Sequence, residues 1–195
     1  MKKLILAATV ATLASMSAAQ ADHHGALMGE AKGNAMKLGK ELKATLVGAM
    51  KSGGPVAALK ACNLSALGIA EKVSAESQGW TVGRTSLKYR NTNNKPDAWE
   101  EAVLKKFEER KAAGEKPNTL AYSETVEVDG KKTFRFMKAI PTAKVCLNCH
   151  GGDNVKPEIV NLLKTLYPND MARGYKEGDL RGAFTLSKTL LIQLA

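Results

Sequence analysis

Cys146-Leu147-Asn148-Cys149-His150 is the feature that most constrains what this chain can fold around. Two of its three cysteines and one of its three histidines fall within this run. A Cys-x-x-Cys-His run has the spacing of covalent c-type haem attachment. The chemistry sets that spacing. Two thiols add to the two vinyl groups of one macrocycle, so the sulfurs must lie a fixed short distance apart. The next histidine then falls beneath the porphyrin plane and ligates iron. Three other readings compete. A thioredoxin-like pair needs a βαβ context, whereas Pro141 and Gly151-Gly152 flank this one. A zinc centre needs four ligands, and Cys62 is the one cysteine left to complete it. A disulfide across two residues closes almost no loop and stabilises little. The expectation is therefore one haem c, held by Cys146 and Cys149 with His150 on iron.

The start of the chain, MKKLILAATVATLASMSAAQA, has a basic Lys2-Lys3 region, an apolar run from Leu4 to Ala14 and a small-x-small Ala19-Gln20-Ala21. This predicts a cleaved signal peptide over residues 1–21 and a single domain over 22–195. An uncleaved anchor would need ~18 sustained apolar residues, and Ser15, Ser17 and Gln20 interrupt earlier. Haem is attached outside the cytoplasm, so the leader and the motif agree on export to the periplasm. Removing Lys2 and Lys3 lowers the 29 Lys+Arg to 27 against 19 Asp+Glu, a net charge of about +8. Such a surface suits an acidic protein partner or an anionic lipid face; the competing reading is an ordinary solvated basic face. Nucleic acid is not expected, because the basic residues are dispersed rather than clustered beside aromatics. Cleavage after Ala21 would expose Asp22-His23-His24, whose nitrogens suit square-planar Cu(II) or Ni(II).

Residues 27–51 read as a helix, with Leu38, Leu42, Leu46 and Met50 at four-residue steps. Ser52-Gly53-Gly54 ends it, and Pro55 suits a new first turn. A second helix carries Leu59, Cys62, Ala66, Ile69 and Val73 on one apolar stripe. From Trp80 the chain reads as extended, entering a polar Asn/Lys/Pro loop. A third helix runs from about Asp97 to Ala113 with Trp99, Val103, Leu104 and Phe107 as its inward stripe and Gly114 at its end. Alternating runs around Asp129-Gly130 predict a two-residue hairpin. PEIVNLLKTLYP reads as a short helix and LRGAFTLSK as a last strand. The fold class is α+β: long N-terminal helices packed on a small antiparallel sheet.

With Cys146 and Cys149 taken by haem, Cys62 has no disulfide partner in an oxidising compartment. It is either a small buried hydrophobe or the second axial ligand. On the residues alone that position stays open among Cys62, a methionine and no protein ligand. Met137 leads the methionines by hairpin geometry, ahead of Met50 and Met171. Arg84, Lys88, Arg90, Arg173 and Arg181 are candidate partners for haem propionates, Arg84 foremost, because guanidinium forks match carboxylates. Ordinary surface charge is the alternative for each. Trp99 and Phe107 read as helix-face core rather than haem contacts.

ALKACNLSALGIAEK, VGRTSLKYRNTNNKPDAWE, FRFMKAIPTAKVCLNCHG and YKEGDLRGAFTLS occur in this order across roughly residues 30–190. Together they resemble the single-haem c-type family with a PAS-like haem domain, long described as a domain of unknown function and with cyanobacterial members. The resemblance implies a PAS-like sheet against the haem and His150 and Cys62 as axial ligands. It implies a redox or gas sensor rather than an enzyme. No kinase, cyclase or membrane anchor follows Ala195, so a signal is expected to pass through a separate, acidic partner, with a diatomic gas as a further ligand. An electron-transfer cytochrome is the close alternative. A sulfur-compound-oxidising haem enzyme is a more distant one, since such enzymes usually carry a second haem. The long N-terminal helix would also serve a homodimer.

Overall fold

The computed structural model describes residues 4–191, with side chains from His23 onward. The signal-peptide expectation for residues 1–21 therefore lies outside the described side chains. Helix α1 (Leu4–Ala75) leaves helical geometry at Gly53 (φ −159°, ψ 23°) and Gly54 (φ 64°, ψ −158°), with Pro55 next. The two predicted helices are thus two arms joined at the predicted break. Strand β1 (Trp80–Thr85) and helix α2 (Ala98–Ala112) follow. Helix α2 begins with a complete capping box: Asp97 accepts from the Glu100 amide, and the Glu100 side chain accepts from the Asp97 amide.

Strands β2 (Ala121–Val128) and β3 (Lys131–Pro141) form the expected hairpin. Asp129 (φ 50°) and Gly130 (φ 72°) make the mirror-image turn that matches strand twist. The short helices α3 (Leu147–His150) and α4 (Pro157–Leu166) precede β4 (Leu180–Thr189). The strands form one antiparallel sheet in the order β1-β4-β3-β2. The α+β expectation holds, with one addition: the sheet is covered on both faces. Against one face, Leu27, Ala31, Ala35, Leu38 and Val73 of α1 pack on Trp80, Val82, Phe134, Phe136 and Leu186. Against the other, Val103, Leu104 and Phe107 of α2 pack on Met137, Ala139 and Ala183.

Strand alternation positions the site. Successive side chains point to opposite faces, so Arg84 shares the α1 face with Trp80 and Val82. Ile140 does so with Phe134 and Phe136, and Gly182 and Phe184 with Leu186. Trp80, Val82, Phe134, Phe136 and Leu186 close a core at one end of that face. Arg84, Ile140, Gly182 and Phe184, at the other end, line a cavity. One face of the sheet thus serves as core at one end and binding wall at the other.

Candidate functional site

The cavity measures about 540 Å³, within the range of roughly 300–1,000 Å³ usual for small-molecule and cofactor sites. The first arm of α1 contributes Leu42, Leu46 and Met50, and the second Leu59, Cys62, Ala66 and Ile69. These are the two predicted apolar stripes, turned toward each other across the kink. The sheet contributes Arg84, Ile140, Gly182 and Phe184, and the segment after β3 contributes Cys146, Cys149 and His150. Cys62, Cys146, Cys149, His150 and Arg84, 62 to 150 in sequence, therefore line one space. Among the described residues, Lys43, Arg84, Arg90 and Arg181 line it, and no Asp or Glu does.

His150 is held tightly. Its Nδ1 lies 2.8 Å from the Ala172 carbonyl oxygen, an acceptor, so Nδ1 carries the proton and donates. Nε2 then keeps its lone pair, with the Arg181 Nε 3.5 Å away. Burial, then the Arg181 and Arg90 charges, hold the imidazole well below its ordinary range, and the ring is neutral. The Tyr175 ring meets it edge-on at 6.1 Å. A neutral imidazole with a fixed Nδ1–H donor is the form that ligates metal.

All three cysteines are free thiols. Burial pushes the Cys62 thiol up, and the Arg84 and Arg90 charges oppose it. Burial also pushes Cys149 up, again against Arg90. Cys62 is thus an inert thiol unless a metal deprotonates it.

Of the five basic candidates, Arg84, Arg90 and Arg181 reach the cavity and the other two do not. Lys88 donates to the Arg173 carbonyl, and Arg173 donates to that of Gly152 at 2.8 Å. Arg181 donates to Ser86 Oγ (3.0 Å) and the Lys88 carbonyl (3.2 Å). Arg90 is occupied by Asp170 and two carbonyls. Among the described residues, Arg84 forms no ion pair with a carboxylate, which leaves its guanidinium for a ligand.

Met137 is a correction. It is fully buried on the α2 face, one position out of phase with Phe136, and cannot reach the cavity. Met50 lines the cavity; Met171 is 42% exposed elsewhere. Phe107 is core, as expected, and Trp99 packs beside Tyr122 with its indole N–H on Glu124. His24 lies on α1 with its ring edge-on to Phe134 at 5.3 Å, away from the cavity. Asp170 and Ala172 went unnoticed in the sequence: they sit in an irregular segment with no periodicity.

Among the described residues, no three His, Cys, Asp or Glu side chains converge as a bare ion would require. The sulfur and nitrogen donors are instead spread around an apolar space rimmed by cations. A zinc centre does not fit this arrangement; a large, flat, anionic group that spans the space does.

Fold and donors together define a class: an α+β domain with an apolar, cation-rimmed cavity between two helical arms and a sheet, and a Cys-x-x-Cys-His segment in its wall. Within that class, the Tll0287-like family model matches residues 2–188, and the chain belongs to that family. It is also similar to the crystal structure of the cyanobacterial haem protein Tll0287, at 26% identity and a TM-score of 0.61. That similarity covers 83% of this chain and 96% of the other. No curated protein matches the chain. Among the described residues, no helix is long and apolar enough to cross a membrane.

Proposed function

We propose that this chain is a haem-binding protein of the c type, exported and acting as a redox or small-ligand sensor. The observation that carries the reading is the convergence of Cys62 on α1 with Cys146, Cys149 and His150 on one cation-rimmed cavity. When bound, haem supplies a redox-active iron that can also take a diatomic ligand. Cys146 and Cys149 would hold it covalently, each thiol adding its sulfur and its hydrogen across one vinyl double bond. His150 would hold the iron through Nε2, and Cys62 would hold it as a thiolate. Arg84 takes a propionate, for which its guanidinium is unpaired with any described carboxylate. Among the described residues, no Asp or Glu lines the cavity to repel those propionates.

Cys62 is the switching element. Its thiolate donates strongly to ferric iron, and axial ligand identity sets the potential, so the potential lies well below that of a His/Met site. An electron added to a bound haem would weaken that bond, so Cys62 would take a proton from solvent, leave as a thiol and free a place for a small ligand. Two coordination states coupled to one electron make a sensor. Ferrous wild-type protein should bind CO, and an unreactive ferrous protein that keeps Cys62 bound would contradict this. The overall basic charge supports a second reading, an electron carrier for an acidic partner. Fast exchange without a change of ligation would favour it. Covalent attachment is tested by acid-resistant retention of haem in the wild type and its loss in Cys146→Ala/Cys149→Ala.

A further inference from the structure

We propose that Arg90, with Asp170, is a positioning residue that sets which nitrogen of His150 faces the cavity. The inference rests on the haem reading of that cavity. It begins with three segments distant in sequence: the loop around residue 89, the end of α3 at residue 150 and the loop around residue 172. Their backbones are stitched: the Tyr175 amide donates to His150 O at 2.9 Å, Gly174 to Gly151 O at 3.0 Å, and Met171 to Tyr89 O at 3.1 Å.

Arg90 closes the stitch from within. Its Nε donates to Asp170 Oδ1 at 3.1 Å, and one Nη2 donates to the carbonyls of Cys149 at 2.7 Å and Ala172 at 3.1 Å. That nitrogen also lies 3.1 Å from Asp170 Oδ2, in a pair whose side chains are 9% and 8% exposed. Asp170 Oδ1 in turn accepts the Ala172 amide at 2.8 Å. Both polar groups of Ala172, itself fully buried, are therefore fixed by this pair. The Ala172 carbonyl is the acceptor for His150 Nδ1–H. Because Arg90 also holds the Cys149 carbonyl, it registers the motif helix against the loop that orients its histidine.

Without a fixed acceptor either imidazole nitrogen can carry the proton. With it, the proton stays on Nδ1 and Nε2 points its lone pair at the cavity. Partners of this kind make the ring a stronger donor, and their loss typically costs 10–100-fold in metal affinity. Lysine does not reproduce Arg90, because its three donors sit on one nitrogen. Arg90 reaches the carboxylate through Nε and the two carbonyls through Nη2 of a rigid planar fork.

The test uses the full chain as isolated, with ¹⁵N-labelled histidine. Nuclear magnetic resonance reports which His150 nitrogen is protonated and how fast that proton exchanges, whether or not haem is present. The expected result is a slowly exchanging Nδ1 proton, and loss of that slow exchange in Arg90→Lys. Arg90→Met/Asp170→Asn, which removes both buried charges together, should behave alike. In the haem-loaded variants the potential should rise, by about 59 mV for each tenfold loss of ferric over ferrous affinity. A wild-type proton on Nε2, or unchanged exchange in both variants, would overturn the assignment. Haem content, measured separately, tells failure of the haem reading from failure of this one.

Discussion

Arg90 and Asp170 form an ion pair almost out of solvent, and its energetics follow from that burial. Removing one partner of such a pair leaves an uncompensated charge and costs about 3–5 kcal/mol, whereas removing both is far milder. Arg90→Ala should therefore lose about that much stability in urea unfolding, and Arg90→Met/Asp170→Asn clearly less. Equal losses would mean that the pair is not electrostatically coupled. A second site of this kind is Gly182 in the cavity wall (φ 148°), where an added Cβ would land on the Thr85 carbonyl oxygen and close to Ser86. Gly182→Ala should cost at least the ~1–3 kcal/mol of a strained backbone, read as a lowered midpoint of thermal unfolding. Residues of the two types differ in how legible they are in sequence. Cys62 declares itself, as an odd thiol on an apolar helical stripe. Arg90 does not, since its partner lies 80 residues away in a segment without pattern, and only the folded chain joins them.

At the scale of elements, α2 depends on its first turn. Asp97 caps it and meets Arg135 Nη2 at 2.7 Å, and Arg135 stacks over Trp99 at 4.3 Å. Burial alone pushes the Asp97 carboxyl up, but the Arg135 bond and charge with the Glu100 amide outweigh it and hold it below its usual value. A depressed carboxyl contributes stability that is complete above the unfolded value, ~3.9. That contribution fades as pH falls through the folded value. Below about pH 4 unfolding should become easier, with a shallower slope in Asp97→Asn. Asp97→Ala should lose about 1 kcal/mol at neutral pH, an amount set by the cap, since the half-exposed ion pair is largely screened. An unchanged acid slope in Asp97→Asn would assign the effect to other carboxylates. The capping residue, the hairpin turn and both apolar stripes of α1 were all readable, because each is a local periodicity or a local bond. The face of β3 that meets the cavity was not. Alternation separates Phe136 from Met137 without saying which of the two α1 covers, and so Met137 was misjudged.

The whole molecule is a sheet covered on both faces, with one face shared between a core and a cavity of about 540 Å³. Its two α1 arms are joined at the Gly53-Gly54 kink and meet again at their far ends, where Lys72 pairs with Glu41 at 3.3 Å. Between these points their facing stripes enclose the cavity with the sheet. A group bound there only in the folded state adds stability by linkage, so haem-loaded protein should melt well above haem-free Cys146→Ala/Cys149→Ala. Equal melting temperatures would show that nothing bridges the arms. The central claim is that Cys62, on the second arm of α1, and His150, on α3, hold the same iron. Low-temperature electron paramagnetic resonance of the ferric, haem-loaded chain, beside Cys62→Ala, tests it most directly. The account predicts a low-spin signal with the compressed anisotropy of thiolate ligation, lost in Cys62→Ala. A high-spin or His/Met-like wild-type signal, or one that survives the substitution, would contradict it.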